Sequence, residues 1–163
     1  MPYPNATVHY SITAINPQFL HKTRFTGLDD QAQAIEKHTA SGGEPCRDVL
    51  RRAMPGEALL LASYCPFTLA GPYREYGPVF VLAQPQAERT LPGSLAELVA
   101  CGYLGNTFVL RAYSATERIV DGVVVDNTLA EITLQAMLQR ADVGFVLVRF
   151  AGYGCYACRI ERI

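Results

Sequence analysis

Arginine stands beside or near tyrosine or cysteine repeatedly in this chain: Cys46-Arg47, Tyr73-Arg74 with Tyr76, Arg111 with Tyr113, and the closing run Cys155-Tyr156-Ala157-Cys158-Arg159. A guanidinium grips a carboxylate or phosphate through two parallel N–H bonds, and a phenol adds a stacking face and a hydroxyl. Only 18% of the residues are charged, so the recurrence predicts a polar cluster assembled from several strand ends. Arg47, Tyr73, Arg74, Arg111 and Tyr113 are the candidate ligand-binding residues, converging on one concave site able to hold an anion. Arg159 stands in the same kind of place. The alternative is a set of salt bridges to Asp48, Glu75, Glu117 and Glu161, with tyrosines closing the core and no ligand needed. Arg51-Arg52 beside Asp48 reads more simply as a solvated pair.

The five cysteines offer a second chemistry. Cys46 follows Gly42-Gly43 and Pro45 and precedes Arg47, whose charge would favour a thiolate. A nucleophile also needs a proton acceptor, and the three histidines, His9, His21 and His38, all precede Cys46 with no motif tying them to it. Cys46 is therefore a weak candidate for catalysis, against the ordinary reading of a buried structural thiol. Cys155-x-x-Cys158 has the spacing of a redox dithiol, but such motifs work at a helix N-terminus. On a strand, residues three apart face opposite ways, which predicts two small apolar residues and no disulfide. His9, His21, His38, Cys46, Cys65 and Cys101 show no paired spacing, so no metal site is expected, and no cofactor motif is present.

The elements that must position these groups are bounded by composition. At 163 residues and 50% hydrophobic, the chain suits one domain with a sizeable core. A net charge of −1 builds in no long-range attraction to nucleic acid or anionic lipid. No apolar run approaches the ~20 residues of a membrane helix. The first residues lack a charged start followed by an apolar core, so a cytoplasmic location with reduced thiols is expected.

Val8 to Ile15 alternates, with Val8, Tyr10, Ile12 and Ala14 on one face, and reads as a strand. Asn16-Pro17 then offers a helix cap and a first helical residue, and Gly27 interrupts. A second helical stretch is expected through residues 31–37, capped by Asp29 or Asp30. Pro55-Gly56 marks a turn before strands at 57–64 and 78–83, with a long Pro-, Gly- and Tyr-rich loop between them. A polar stretch, Gln84 to Ser94, leads to a short helix at 95–100. Hairpins follow at 106–125, with a bulge at Asp121-Gly122, and at 143–160, around Gly152-Tyr153-Gly154. Between them Thr128 to Glu131 has the spacing of a capping box, opening a helix to about Arg140 whose apolar face is Ala130, Leu134, Met137, Leu138 and Ala141. The expected fold class is α+β: one domain, 1–163, with a mostly antiparallel single sheet and helices packed on it.

Six fragments in order resemble an uncharacterised bacterial group, the domain of unknown function family 1203. They are Pro45-Cys46-Arg47, Pro55-Gly56-Glu57, LLLASY from Leu59, PYREYGPVFV from Pro72, LRAY from Leu110 and GCYACRIER from Gly154. The resemblance covers Glu44 to Arg162, which divides the domain into a helical-leaning part, 1–44, and a family-like core, 45–163. It implies a fold and no activity. The family pattern carries histidines after the LLLASY strand and in the strand before GCYA, where this chain has Cys65-Pro66-Phe67 and Leu147-Val148-Arg149-Phe150.

The functional expectation is a protein that binds a small anionic metabolite through an Arg/Tyr cluster, without nucleic acid or membrane partners. The alternatives are a thiol-dependent enzyme using Cys46 and a partner-binding module with no pocket.

Overall fold

The computed structural model describes residues 6–87 and 90–163. Glu88 and Arg89, within the polar stretch before the second helix, lie outside the described residues. Alternation at the start of the chain forms β1 (Tyr10–Thr13), and Val8, Tyr10, Ile12 and Ala14 all turn toward the same apolar cluster. Asn16 caps α1 (Pro17–Thr26), its side-chain oxygen accepting from Gln18 N at 2.8 Å, with Pro17 in the first turn. Gly27 ends the helix at φ 69°, a left-handed conformation that glycine takes without a Cβ clash.

The expected helix at 31–37 is not formed. Asp29 Oδ1 accepts from Gln31 N and Gln33 N, and Asp29 Oδ2 accepts from Ser63 N at 3.1 Å. These bonds turn the chain back so that β2 (Glu36–Thr39) pairs with a later strand. A tertiary acceptor has overridden local helix propensity.

The remaining elements are β3 (Pro45–Cys46), β4 (Arg51–Arg52), β5 (Ala58–Tyr64), β6 (Gly77–Leu82), α2 (Leu95–Ala100), β7 (Thr107–Tyr113), β8 (Ile119–Asp126), α3 (Ala130–Leu138), β9 (Phe145–Phe150) and β10 (Tyr156–Arg162). The capping box before α3 is replaced. Thr128 donates its N–H and hydroxyl to Asp126 Oδ1, and Leu129 at the N-cap makes no side-chain bond. A carboxylate is the stronger acceptor, so Thr128 becomes a donor. Ala130, Leu134, Met137 and Leu138 are buried as expected, whereas Ala141 lies past the helix end and is exposed. In the β7–β8 hairpin Gly122 and Asp121 pair in register with Arg111 and Ala112, and the slip falls one residue on, at Val120.

The strands form two five-stranded sheets, β1-β10-β9-β7-β8 and β2-β5-β6-β3-β4, rather than the single sheet expected. All named pairings are antiparallel except β3 with β6. The reason is in β9, whose residues are buried on both faces, so each face needs a cover. On one side Val146 and Val148 join a cluster with Leu95, Leu98, Leu134 and Leu138 of the helices. On the other, Phe145 and Leu147 join Leu60, Ala62, Val79 and Val81 of the second sheet. Leu134 and Leu138 are essentially fully buried, and burying each contributes about 1.5–3 kcal/mol relative to exposure. Cys46, Leu59 and Leu82 form a third cluster on the outer side of the second sheet. Layers of helix, sheet and sheet make one α+β domain.

Candidate functional site

The parallel pairing of β3 with β6 carries the chain, through Arg47, inward toward the first sheet. Arg47 N donates to Phe80 O at 3.0 Å, which fixes the backbone. The side chain is 3% exposed; its Nε donates to the carbonyl of Tyr156 and its Nη1 to that of Pro45, both at 2.9 Å. Arg52, on β4, donates to the carbonyls of Tyr103 at 3.0 Å and Gly43 at 2.9 Å. Both guanidinium carbons stand 5.1 Å from the centre of the Phe150 ring. Among the described residues neither Arg47 nor Arg52 has an ion pair with an acid. Burial pushes the Arg47 guanidinium below its ordinary range, and the nearby Arg52 charge adds to this. The two arginines border a cleft of about 350 Å³ that also includes Asn106, Thr107, Phe150 and Cys155.

Sequence reasoning singled out Arg47 but set Arg52 aside as solvated and did not mark Phe150. Nothing local betrays their role. The acids nearest in sequence are engaged elsewhere: Glu44 accepts from Ser41 N and Gly42 N, Asp48 pairs with Arg24 at 2.8 Å, and Glu57 takes the two terminal nitrogens of Arg51 at 2.8 and 2.9 Å.

The five candidate residues are not brought to one place. Arg74 lines a different cleft of about 330 Å³ with Lys22, Asp30, Cys65 and Tyr76. Tyr73 is 37% exposed, with Arg118 over its ring. Tyr113 is wholly buried between the sheets, stacked on Phe145, and its hydroxyl has no hydrogen-bond partner among the described residues. Arg111 lies 3.6 Å from Glu75, and the same carboxylate oxygen meets Arg149. Glu117 serves no arginine as a salt-bridge partner among the described residues; it accepts from Thr68 and Leu69 and pins the long loop. Arg159 is neutralised by Glu161.

A smaller cleft of about 200 Å³ adjoins the far side of the β9–β10 turn, lined by Pro66, Glu75, Tyr76, Arg149, Tyr153 and Cys155. Of the two segments where the resemblance implies histidines, 65–67 and 147–150, this cleft takes in Pro66 and Arg149. Arg149 is 6% exposed, donates to Gly154 O at 2.9 Å, and has an Nε without a hydrogen-bond partner among the described residues.

Cys46 has no access to solvent, and burial, with the Asp48 charge second, pushes its thiol up to about 12. It is therefore a thiol, not a thiolate, near neutrality. The face assignment of Cys155 and Cys158 also changes. A bulge between Tyr156 and Cys158 places Cys158 in the helix-side cluster, which Cys155 touches from its rim, and both sulfurs are free. Among the described residues no group of three or more His, Cys, Asp or Glu could hold a metal ion, and no helix is long and apolar enough to cross a membrane.

Residues 43–162 match the family described as "Protein of unknown function (DUF1203)", and the chain belongs to that family. No curated protein and no solved structure matches it significantly.

Proposed function

Taking membership of a family with no assigned activity as the premise, we propose that this protein binds a small anion, a carboxylate or phosphate ester, in the Arg47–Arg52 cleft. The observation that carries this reading is a buried guanidinium with no acid beside it among the described residues. Taking a charge out of water costs several kcal/mol unless an opposite charge meets it, and among the described residues Arg47 meets neutral carbonyls and a ring face. The Arg52 guanidinium, without an acid partner among the described residues and over the same ring, raises that cost by repulsion. An anion between them removes both penalties and takes paired N–H bonds. Phe150 and Pro45 offer apolar contact for the body of such a ligand, and about 350 Å³ suits a small metabolite. The Arg/Tyr cluster read from sequence contracts to Arg47 joined by Arg52. Arg74 and Arg111 lie elsewhere, and Tyr113 is closed off. A thiol-dependent reaction at Cys46 is disfavoured by its burial.

Thermal shift and equilibrium binding with phosphate, and with a panel of carboxylates, test the reading. Saturable binding that weakens with salt and falls in Arg52→Gln is expected. Binding of none of these anions at low salt, or binding unaltered in Arg52→Gln, would reject it.

A further inference from the structure

The β9–β10 turn separates the two clefts, and Cys155 lines both. The peptide carbonyls on either side of this cysteine are each held by a buried arginine. Arg149 Nη1 donates to Gly154 O and Arg47 Nε to Tyr156 O, both at 2.9 Å. Arg149 keeps a buried Nε without a hydrogen-bond partner among the described residues, and Arg47 has no acid partner there. Cys155 itself is partly exposed and free, with only a long contact from its sulfur to Tyr153 O at 3.7 Å. Of the other thiols, Cys46 and Cys158 are buried, the exposed Cys101 directs its sulfur to the carbonyls of Leu50 and Leu98, and the partly exposed Cys65 lies in the Arg74 cleft with its sulfur 3.5 Å from Phe67 O.

We propose that Cys155 is a modification site, forming a mixed disulfide with a low-molecular-weight disulfide whose carboxylate is seated by Arg47 and Arg52. The proposal rests on the anion reading of the same cleft. Cys155 loses its proton to solvent, and the thiolate attacks one sulfur of the reagent. A new sulfur–sulfur bond forms to Cys155 as the reagent's own breaks. The other half leaves as a thiolate and takes a proton from water. The cysteine is oxidised and the reagent disulfide reduced, so the electrons balance without a further oxidant. Two positive charges lining the same cleft as the sulfur draw an anionic reagent into it. The adduct then occupies the cleft, so modification excludes the anion.

The test uses the full chain, reduced, with oxidised glutathione as the anionic probe and cystamine as the cationic one. Peptide mass spectrometry follows each cysteine separately, and the exposed Cys101 is the internal reference. At low salt the glutathione adduct is expected to form faster at Cys155 than at Cys101. The glutathione-to-cystamine rate ratio should be higher at Cys155 by roughly threefold for each guanidinium engaged. Phosphate should slow the reaction at Cys155 alone, and Arg52→Gln should lower the ratio there. Equal or faster labelling of Cys101, or the same charge ratio at both thiols, would overturn the proposal. Anion binding measured separately divides the failures. If phosphate or a carboxylate binds and Cys155 shows no preference, the modification site falls alone; if none of these anions binds and the charge ratios are equal, both readings fall.

Discussion

Arg47 Nε donates to the backbone carbonyl of Tyr156 across 109 positions of sequence, at 2.9 Å. The bond ties the end of β3, in one sheet, to the first residue of β10, in the other. It is made where the bulge after Tyr156 has disturbed the β9–β10 ladder. One side chain therefore both joins the sheets and carries a charge of the proposed site that has no acid partner among the described residues.

This double duty predicts a separable pair of effects. Arg47→Ala leaves the Tyr156 carbonyl without its donor and should cost about 1–3 kcal/mol in denaturant unfolding. Arg47→Lys keeps the charge but loses the planar fork, so it should recover part of any anion affinity and little of the stability. Equal stability of wild type and Arg47→Ala would show that relief of the buried charge offsets the lost inter-sheet bond.

Arg74 separates the cleft proposed here from a general basic surface. It lines a different cleft and pairs with no acid among the described residues, its guanidinium lying over the Tyr76 ring. Arg74→Ala should leave both the melting temperature and phosphate affinity unchanged. A loss of affinity comparable to that in Arg52→Gln would move the site to the Arg74 cleft.

Acid stability should be controlled in part by Glu57. Its two-pronged bond from Arg51, with a further bond from Met54 N, holds its carboxyl at about 2 against an ordinary 4.5. A depressed folded value means the stabilisation is present above about 4.5 and is lost as pH falls toward about 2. Melting temperature should fall through that window, and Glu57→Gln should start lower and fall less. Parallel pH curves for the two proteins would assign the acid limb to other carboxylates.

Gly144 is a test of how closely the connection from α3 to β9 packs on the β7–β8 turn. A Cβ there would lie 2.8 Å from Ala115 N and 3.0 Å from Ala115 Cα, both backbone atoms that cannot swing aside. Its N–H meanwhile donates to Tyr113 O at 2.7 Å. Gly144→Ala should therefore destabilise by about 1–3 kcal/mol in equilibrium unfolding, although alanine is the better residue by backbone entropy. An unchanged or raised stability would mean the two segments separate freely.

Local pattern determined much of the fold. The alternation at Val8 to Ala14, the Asn16-Pro17 start of α1, Gly27 after it and the apolar spacing of α3 through Leu138 all involve neighbours within a few residues. Such contacts are available to the chain wherever the rest of it goes, so the α+β class was legible. What failed were the places where a distant partner outbid the local one. Asp29 bound Ser63 and turned a helix-like segment into β2, and the two buried faces of β9 required a second sheet. The placement of the candidate residues was illegible for the same reason. Sequence marked arginines beside turns, including Arg47, but which of them ends buried with no acid partner among the described residues depends on which acids other arginines take. Arg24 holds Asp48, Arg51 holds Glu57, and Arg111 and Arg149 share Glu75. Arg47 and Arg52 are left facing Phe150, far away in sequence, because ion pairing follows distance in space and only the packing of the two sheets sets that distance.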